Sequence, residues 1–254
     1  MSRPLLPETS TRDASPGASP QFPTTSWTKI GRAGAGDTPA ADEAMEALCR
    51  AYRYPLYAFL RRSGHSYEDA HDWAQSFFAY LLANRLVSKA TPARGRFRSF
   101  LLASMKRFIS TEHRKLAAQK RGGGQVLLSL DERNAEDRYA HEPVDAHTPE
   151  TLFELSWART ILRQAAAALE KEYAAAGKSE LFARLAGYLE GGREGPGYAA
   201  TAAALGLSVD VIKTAVLRLR RRFQQCLREQ IALTVSTPAE VEEELRHLRQ
   251  LLMR

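Results

Sequence analysis

Arginine and lysine, which bind phosphate groups through charge and hydrogen bonds, crowd a predicted helix in the last quarter of the chain. The segment 198–223 reads YAATAAALGLSVDVIKTAVLRLRRRF, with Gly206 and Ser208 between two helical patterns. Glycine accepts the left-handed backbone that ends a helix, and serine caps the start of the next one. The pattern therefore predicts two helices joined by a sharp turn, the second of them cationic.

The second of these predicted helices has one apolar stripe, and polar or cationic residues occupy its other faces. Ile212, Val216, Leu219 and Phe223 recur at helical spacing, which predicts a buried face. The small Ala202 stands where the two helices would cross closely. This layout is typical of a helix-turn-helix whose second helix enters the major groove of DNA. A basic helical hairpin on a protein surface is the alternative interpretation.

Aromatic and cationic residues are interleaved in a second basic segment. Residues 94–121 contain nine Lys or Arg and one acid, Glu112. Cations bind a nucleic-acid backbone, and aromatic rings can stack on its bases. For Phe97, Phe100 and Phe108, burial in a core is the more common role. The cations favour nucleic-acid binding, because a face with this excess of charge repels itself unless an anionic partner neutralises it.

The charge of the chain is unevenly distributed around a formal net charge of +7. Residues 213–228 carry six Lys or Arg and no acid, whereas residues 131–154 carry eight acids and two arginines. Two cationic blocks with an anionic block between them predict two contacts with nucleic acid and a connector that avoids it.

Helical periodicity dominates the chain, and no segment shows the alternation of a strand. We expect an all-α fold of two helical domains joined by an acidic flexible linker, the second domain containing the helix-turn-helix. Pro55 is expected to break or kink the first helix, and Thr237 with Glu240 predicts a capping box at the last. The expected divisions are a disordered extension (1–26), a first domain (27–121), a linker (122–148), a second domain (149–232) and a C-terminal helical extension (233–254).

Catalysis is not indicated by the sequence, because the histidines are scattered and no nucleophile–base signature accompanies them. Cys49 and Cys226 lie far apart and outside any metal-ligand spacing, which suits a reduced compartment. His141, Asp145 and His147 could meet at a metal ion, but a flexible acidic linker makes this the weakest interpretation. We expect no enzyme activity, cofactor or metal. Without a signal-peptide core or a membrane-spanning apolar run, we expect a cytoplasmic protein with no membrane insertion.

Three segments, in this order, resemble the extracytoplasmic-function (ECF) sigma factors, the small sigma-70 class that directs bacterial RNA polymerase to promoters. Residues 68–82, EDAHDWAQSFFAYLL, are similar to the family's polymerase-binding helix. Residues 94–115, RGRFRSFLLASMKRFISTEHRK, resemble the segment that opens and reads the minus-ten element. Residues 198–223 resemble the helix-turn-helix that reads the minus-thirty-five element. The resemblance covers roughly residues 27–230, and three segments in order are more specific than one motif.

The resemblance implies roles for three sets of residues and names the partners, core RNA polymerase and promoter DNA. An anti-sigma factor or another regulator is a further candidate partner. The set expected to face the polymerase's largest subunit is Asp69, Asp72 and Gln75. The set expected to contact or steer DNA around the melted minus-ten element is Arg94, Arg96, Arg98, Lys106, Arg107, Arg114 and Lys115. The set expected on or near the duplex groove is Asp210, Lys213, Thr214, Leu217, Arg218 and Arg221.

Three positions depart from the usual pattern of the family. Ser76 replaces a glutamate, Arg107 replaces an asparagine that can contact a base, and Thr201 replaces an isoleucine or valine. A stand-alone helix-turn-helix repressor or activator with a helical sensing domain is the alternative function. It accounts for the helix-turn-helix equally well, but it gives the basic segment 94–115 no purpose.

Overall fold

The computed structural model describes residues 39–84, 86–89, 96–118, 131–141, 147–189, 197–235 and 237–253, and its regular structure there is entirely helical. The predicted all-α class is confirmed. The helices are α1 (Pro39–Arg62), α2 (Tyr67–Ala83), α3 (Leu86–Lys89), α4 (Phe97–Ala118), α5 (Asp131–Ala140), α6 (Pro149–Ala175), α7 (Ser179–Leu185), α8 (Tyr198–Leu205), α9 (Val209–Ala232) and α10 (Pro238–Leu252), with a 3-10 turn at Ala186–Tyr188 after α7.

The long helix α6 lies at the centre of the packing. It begins where the sequence predicts, with Thr148 accepting a hydrogen bond from the Thr151 amide at 3.2 Å. Its buried face includes Phe153, Trp157 and Ile161, all without measurable exposure. Helix α1 packs along α6 on one side, and α9 and α10 pack on it as well. A single core therefore joins segments that the sequence pattern divides between two domains.

Helix α1 continues through Pro55, although a break or kink was expected there. A proline inside a helix costs about 3 kcal/mol or more, because it removes one backbone hydrogen bond and crowds the preceding turn. Its neighbours Tyr54 and Leu56 are buried, and each large buried side chain stabilises a fold by about 1.5–3 kcal/mol. Packing on both sides of Pro55 therefore offsets the cost of the proline.

Part of the acidic segment is helical, which differs from the flexible linker that was expected. Helix α5 lies against α1 through Glu136, which accepts hydrogen bonds from Arg61 at 2.7 and 3.1 Å and from the Tyr57 hydroxyl. Burial acts to raise the pKa of Glu136, but these hydrogen bonds outweigh it and the net pKa is lowered. Arg138 lies over the Tyr54 ring, 3.2 Å from its centroid. These polar contacts and the Tyr139 ring, which lies against Tyr57, hold the helix without a regular apolar period that could reveal it.

The expected extension 1–26 and the rest of the linker, 119–130 and 142–146, lie outside the described residues. The C-terminal helix α10 begins as predicted. Thr237 accepts from the Glu240 amide at 3.3 Å, and the Glu240 carboxylate accepts from the Thr237 amide at 2.9 Å. This reciprocal pair is the predicted capping box.

Both cysteines are free thiols, and burial raises the pKa of Cys49 and of Cys226. Among the described helices, no single one is long and apolar enough to cross a membrane. Helices α8 and α9 meet that length and composition only when taken together, and they are bent by 104° relative to each other.

Replacing Ile161 with alanine should lower the free energy of unfolding by about 2–5 kcal/mol, because the cavity lies in the shared core. Urea unfolding followed by tryptophan fluorescence and by circular dichroism should give one coincident transition. Lys171→Ala, an exposed position on the same helix, is the control and should leave stability nearly unchanged. Two separate transitions, with only one shifted by Ile161→Ala, would contradict the shared core.

Candidate nucleic-acid interface

The turn between α8 and α9 has the geometry that its sequence predicts. Gly206 takes the left-handed conformation, with φ 64° and ψ 30°. The amide of Leu207 then donates to the Ala202 carbonyl at 3.0 Å, which closes the end of α8. Ser208 caps α9 by accepting a hydrogen bond from the Val211 amide at 3.4 Å. The first three residues of α9, Val209 to Val211, are exposed, as a helix that enters a groove requires.

Helix α9 has a buried face and an exposed face on opposite sides. Ile212, Val216, Leu219 and Cys226 form the buried stripe. At about 100° per residue, the predicted groove residues span about 140° of the helix, centred opposite that stripe. All of that set are exposed, and its members are Asp210, Lys213, Thr214, Leu217, Arg218 and Arg221.

Within this exposed face, the side chains differ in how they are held. Lys213 pairs with Asp210 at 3.2 Å, and the Thr214 hydroxyl donates to the Asp210 carbonyl at 2.9 Å. Arg218 and Arg221 form no ion pair with any described residue. Leu217, which directly precedes Arg218, is 69% exposed, which is unusual for a leucine on a cationic face. An apolar side chain there could contact a thymine methyl, while the arginines bind phosphates or guanine edges.

Other cations on α9 hold the helix in place. Arg222 donates to the Glu172 carboxylate of α6 at 2.5 and 2.8 Å and to Glu229 at 3.0 Å. The hydrogen bonds from Arg222 lower the pKa of Glu172. Arg220 donates to the Tyr188 carbonyl at 3.0 Å. Counting cations along α9 therefore overestimates those available to DNA.

Glu172, Cys226 and Glu229 place possible metal ligands within 4.8 Å of one another. The Arg222 guanidinium already bonds to both carboxylates and supplies the positive charge of the cluster. These residues therefore form an ion-pair network between α6 and α9. Arg222 already neutralises the carboxylates that a metal ion would need.

The residues predicted to bind polymerase share the exposed side of α2. Asp69, Asp72 and Gln75 are all exposed, and so is the divergent Ser76. The opposite side of the helix is buried and consists of Ala70, His71, Ala74, Phe77, Phe78 and Leu81. Ser66 caps the helix by accepting from the Asp69 amide at 3.1 Å. The structure brings the predicted set together on one polar face.

Two further residues on this face of α2 were not singled out from the sequence. Glu68 adds an exposed acid to the first turn, and Tyr80 keeps 37% of its surface exposed. Tyr80 follows Asp72 and Ser76 at successive intervals of four residues, so helical spacing could have identified it.

The cations of the predicted minus-ten set divide into exposed and buried ones. Arg96, Lys106, Arg107 and Arg114 are exposed. Lys106 pairs with Glu150 of α6 at 2.5 Å, and Arg114 donates to the Ser110 carbonyl at 3.1 Å. Arg94 lies outside the described residues, as does the side chain of Lys115.

Arg98 is the exception to the predicted role, since only 3% of its side chain is exposed. Its Nε lies 2.6 Å from a Glu154 carboxylate oxygen, and its Nη1 contacts the Glu244 carboxylate. Its guanidinium lies 4.7 Å from the centroid of the Trp157 ring. Burial lowers the pKa of Arg98, and Glu154 opposes that shift. The expectation that Arg98 contacts DNA is therefore corrected for this conformation, because acids from α6 and α10 cover it.

The aromatic rings of the same segment belong mainly to the core. Phe97 and Phe108 are buried, and Phe100 is half-buried. The Phe108 ring lies 5.6 Å from Phe77 and 5.0 Å from Tyr80, measured between centroids. Burial, the more common role for each ring, is therefore the one observed for Phe97 and Phe108.

The structure also explains why a polar residue, Thr201, occupies a buried position in α8. Thr201 is buried, and its hydroxyl is 2.9 Å from the Tyr188 hydroxyl. The Tyr188 ring stacks on Tyr198, with 5.1 Å between centroids. Threonine fits this apolar position because its hydroxyl has a partner.

Comparison with protein families gives one match that covers all three predicted contact regions. The family model for ECF sigma factor matches residues 28–229, which confirms the resemblance. Comparisons with curated proteins and with solved structures gave no significant match. The matched range ends within α9, and α10 lies beyond it.

Replacing Gly206 with alanine should destabilise the protein by about 1–2 kcal/mol, the cost of a left-handed backbone for a residue with a Cβ. A Cβ at this position meets nothing within 4 Å, so steric clash adds no further cost. Gly206→Asn is the matched control and should cost less, because asparagine tolerates this conformation. Thermal and urea unfolding check both values, and equal losses in the two variants would contradict the backbone explanation.

Proposed function

The chain belongs to the ECF sigma factor family, a family that acts in transcription initiation, and from this we propose that it binds core RNA polymerase and selects promoters through two DNA contacts. The observation that carries the proposal is the exposed face of α9, which lies opposite the buried stripe with Arg218 and Arg221 free of ion pairs among the described residues. No bond chemistry is required of the chain.

Helix α9 is proposed to read the duplex of the minus-thirty-five element. Phosphate contacts from arginines set its position, and two or three side chains then read base edges. The N-terminal half of α9, from Val209 to Leu217, is the part next to the turn, where a recognition helix makes its base contacts. Leu217 is the apolar reader, and Arg218 and Arg221 are the electrostatic contacts.

Helix α4 is proposed to hold promoter DNA around the minus-ten element. Arg107 and Arg114 are exposed and lie two turns apart, so both can reach one strand. Extruding a base costs a few kcal/mol, which contacts with phosphates and base edges must offset. Since Phe97 and Phe108 are buried, the cations of α4 rather than these two rings are proposed to face the strand.

The exposed acidic face of α2 is proposed to bind the largest subunit of the polymerase. Asp69 and Asp72 present negative charge, and Gln75 adds an amide that can donate and accept. A stand-alone repressor or activator has no use for such a face, so binding to core polymerase separates the two functions. An anti-sigma factor, if one binds this chain, would regulate its complex with core polymerase.

Replacing Arg218 and Arg221 together with glutamine should weaken promoter binding and reduce the slope of log affinity against log salt by about 1.8, or about 0.9 for each lost phosphate contact. Lys171→Gln with Arg184→Gln removes the same charge from exposed positions outside α9 and is the control. Fluorescence anisotropy over a salt series measures both slopes. If the two double variants change the slope equally, α9 makes no specific contact with the duplex.

Replacing Asp72 and Gln75 with alanine should weaken association with core polymerase about tenfold or more while leaving the melting temperature unchanged, since both side chains are exposed. Co-elution with purified bacterial core polymerase and run-off transcription from a genomic fragment library measure the effect. Glu180→Ala, an exposed acid on α7, is the control. A wild-type chain that neither binds core nor starts a transcript on any fragment would overturn the proposed function.

A further inference from the structure

A carboxylate of helix α10 forms ion pairs with two arginines that the sequence predicts to contact DNA. Glu244 is 5% exposed, and its carboxylate contacts the Arg98 guanidinium. A second arginine of the same segment, Arg96, lies with its Nε 3.6 Å from a Glu244 oxygen. One acid from the C-terminal helix therefore faces two cations at the start of α4.

The contact is part of a larger cluster between α4, α6 and α10. Glu154 pairs with Arg98 at 2.6 Å and lies 2.9 Å from Nε2 of His247, which follows Glu244 by three residues on α10. The His247 ring lies near Trp157, with 6.5 Å between centroids, and Trp157 also faces the Arg98 guanidinium. Two residues on adjacent turns of α10 thus take part in this cluster: Glu244 contacts Arg98 directly, and His247 contacts its partner Glu154.

The contact between the Glu244 carboxylate and the Arg98 guanidinium resembles a contact between an arginine and a phosphate. A guanidinium presents its donors in a planar fork that fits a carboxylate and a phosphate in similar ways. The Glu244 carboxylate therefore lies where a DNA phosphate would have to lie to bind Arg98. Both anions cannot occupy the same donors at once.

Helix α10 is well formed and docks through its own apolar face. Val241, Leu245, Leu248 and Leu251 are buried against the rest of the protein, and Arg228 of α9 pairs with Glu242 at 3.1 Å. The family match ends at residue 229, before α10 begins. The helix is thus an addition to the matched segment and covers part of it.

We propose that α10 is an intramolecular occupant of the surface formed by Arg96 and Arg98, and that promoter DNA takes its place when these arginines are used. The inference rests on the proposed function, because it assumes that the start of α4 meets nucleic acid. Single-stranded DNA is the competing ligand, since the sequence of this segment resembles the one that opens and reads the minus-ten element in the family. The free chain therefore binds single strands more weakly than its cation content predicts.

The first test compares two full-length variants, Glu244→Gln and Glu243→Gln, in binding a short random-sequence single-stranded DNA. Glu243 is exposed on the same helix, so its variant carries the same charge change without touching the arginines. Glu244→Gln should raise affinity about fivefold or more, the range of coupling between two sites. It should also steepen the salt slope by about 0.7 for each arginine released. Equal affinities and slopes in the two variants would overturn the proposal.

The second test needs no variant and covers the case in which Glu244→Gln fails to fold. Hydrogen exchange of the wild-type amides in α10 is measured with and without the same single-stranded DNA. Faster exchange in α10 on DNA binding supports displacement, and unchanged exchange at saturating DNA overturns it. Leu248→Ala, which loosens the apolar side of α10 without removing a charge, should raise DNA affinity in the same direction.

These outcomes are distinct from a failure of the proposed function. A wild-type chain that starts transcripts with core polymerase while α10 stays protected on DNA would refute the α10 proposal alone. A chain that neither binds core nor starts transcripts would refute the sigma-factor proposal, whatever α10 does in the presence of DNA.

Discussion

The burial of one face of α6 is the interaction on which the rest of the structure depends. Phe153, Trp157 and Ile161 have no measurable exposure, and α1, α9 and α10 all pack on the helix that carries them. Because non-polar burial is the largest favourable term in folding, this helix sets where the helices packed on it can lie. Trp157 also joins the apolar core to the charged cluster, since its ring faces the Arg98 guanidinium.

Five arginines of this chain form two groups with different roles. Arg61, Arg98 and Arg222 each pair with a carboxylate on another helix, and these pairs join α1 to α5, α4 to α6 and α10, and α6 to α9. Arg218 and Arg221 are exposed, with no ion pair among the described residues. Of these five arginines, only Arg218 and Arg221 can offer their charge to a nucleic acid while the ion pairs of the first group are intact. The charge pattern along the sequence suggested this role for Arg98 and Arg222 as well as for Arg218 and Arg221.

Local signals predicted much of the fold. The left-handed turn at Gly206, the caps at Ser208 and Thr237, and the apolar stripe of α9 all depend on residues within about two helical turns of each other. The exposed faces of α2 and α9 followed from the same periodicity. Their roles in binding stay predictions, because exposure alone does not identify a partner.

What the sequence could not predict depends on residues far apart in the chain. Arg98 is covered by Glu154 and Glu244, which follow it by more than fifty and more than a hundred residues, and no local pattern indicates that pairing. Helix α5 escaped notice because polar contacts from Arg61 and Tyr57 and the single ring of Tyr139 hold it, without an apolar period. In both cases tertiary contacts decided the outcome.

The unbroken length of α9 has a mechanical consequence. With 24 residues it is about 36 Å long, and a rigid rod of that length that tilts by about 10° moves its far end by about 6 Å. One end of α9 lies at the turn after α8, and Arg228, close to the other end, forms an ion pair with Glu242 of α10. A reorientation imposed at the first end must therefore either move the whole rod, including the distant ion pair, or break the contacts of Arg222 with α6.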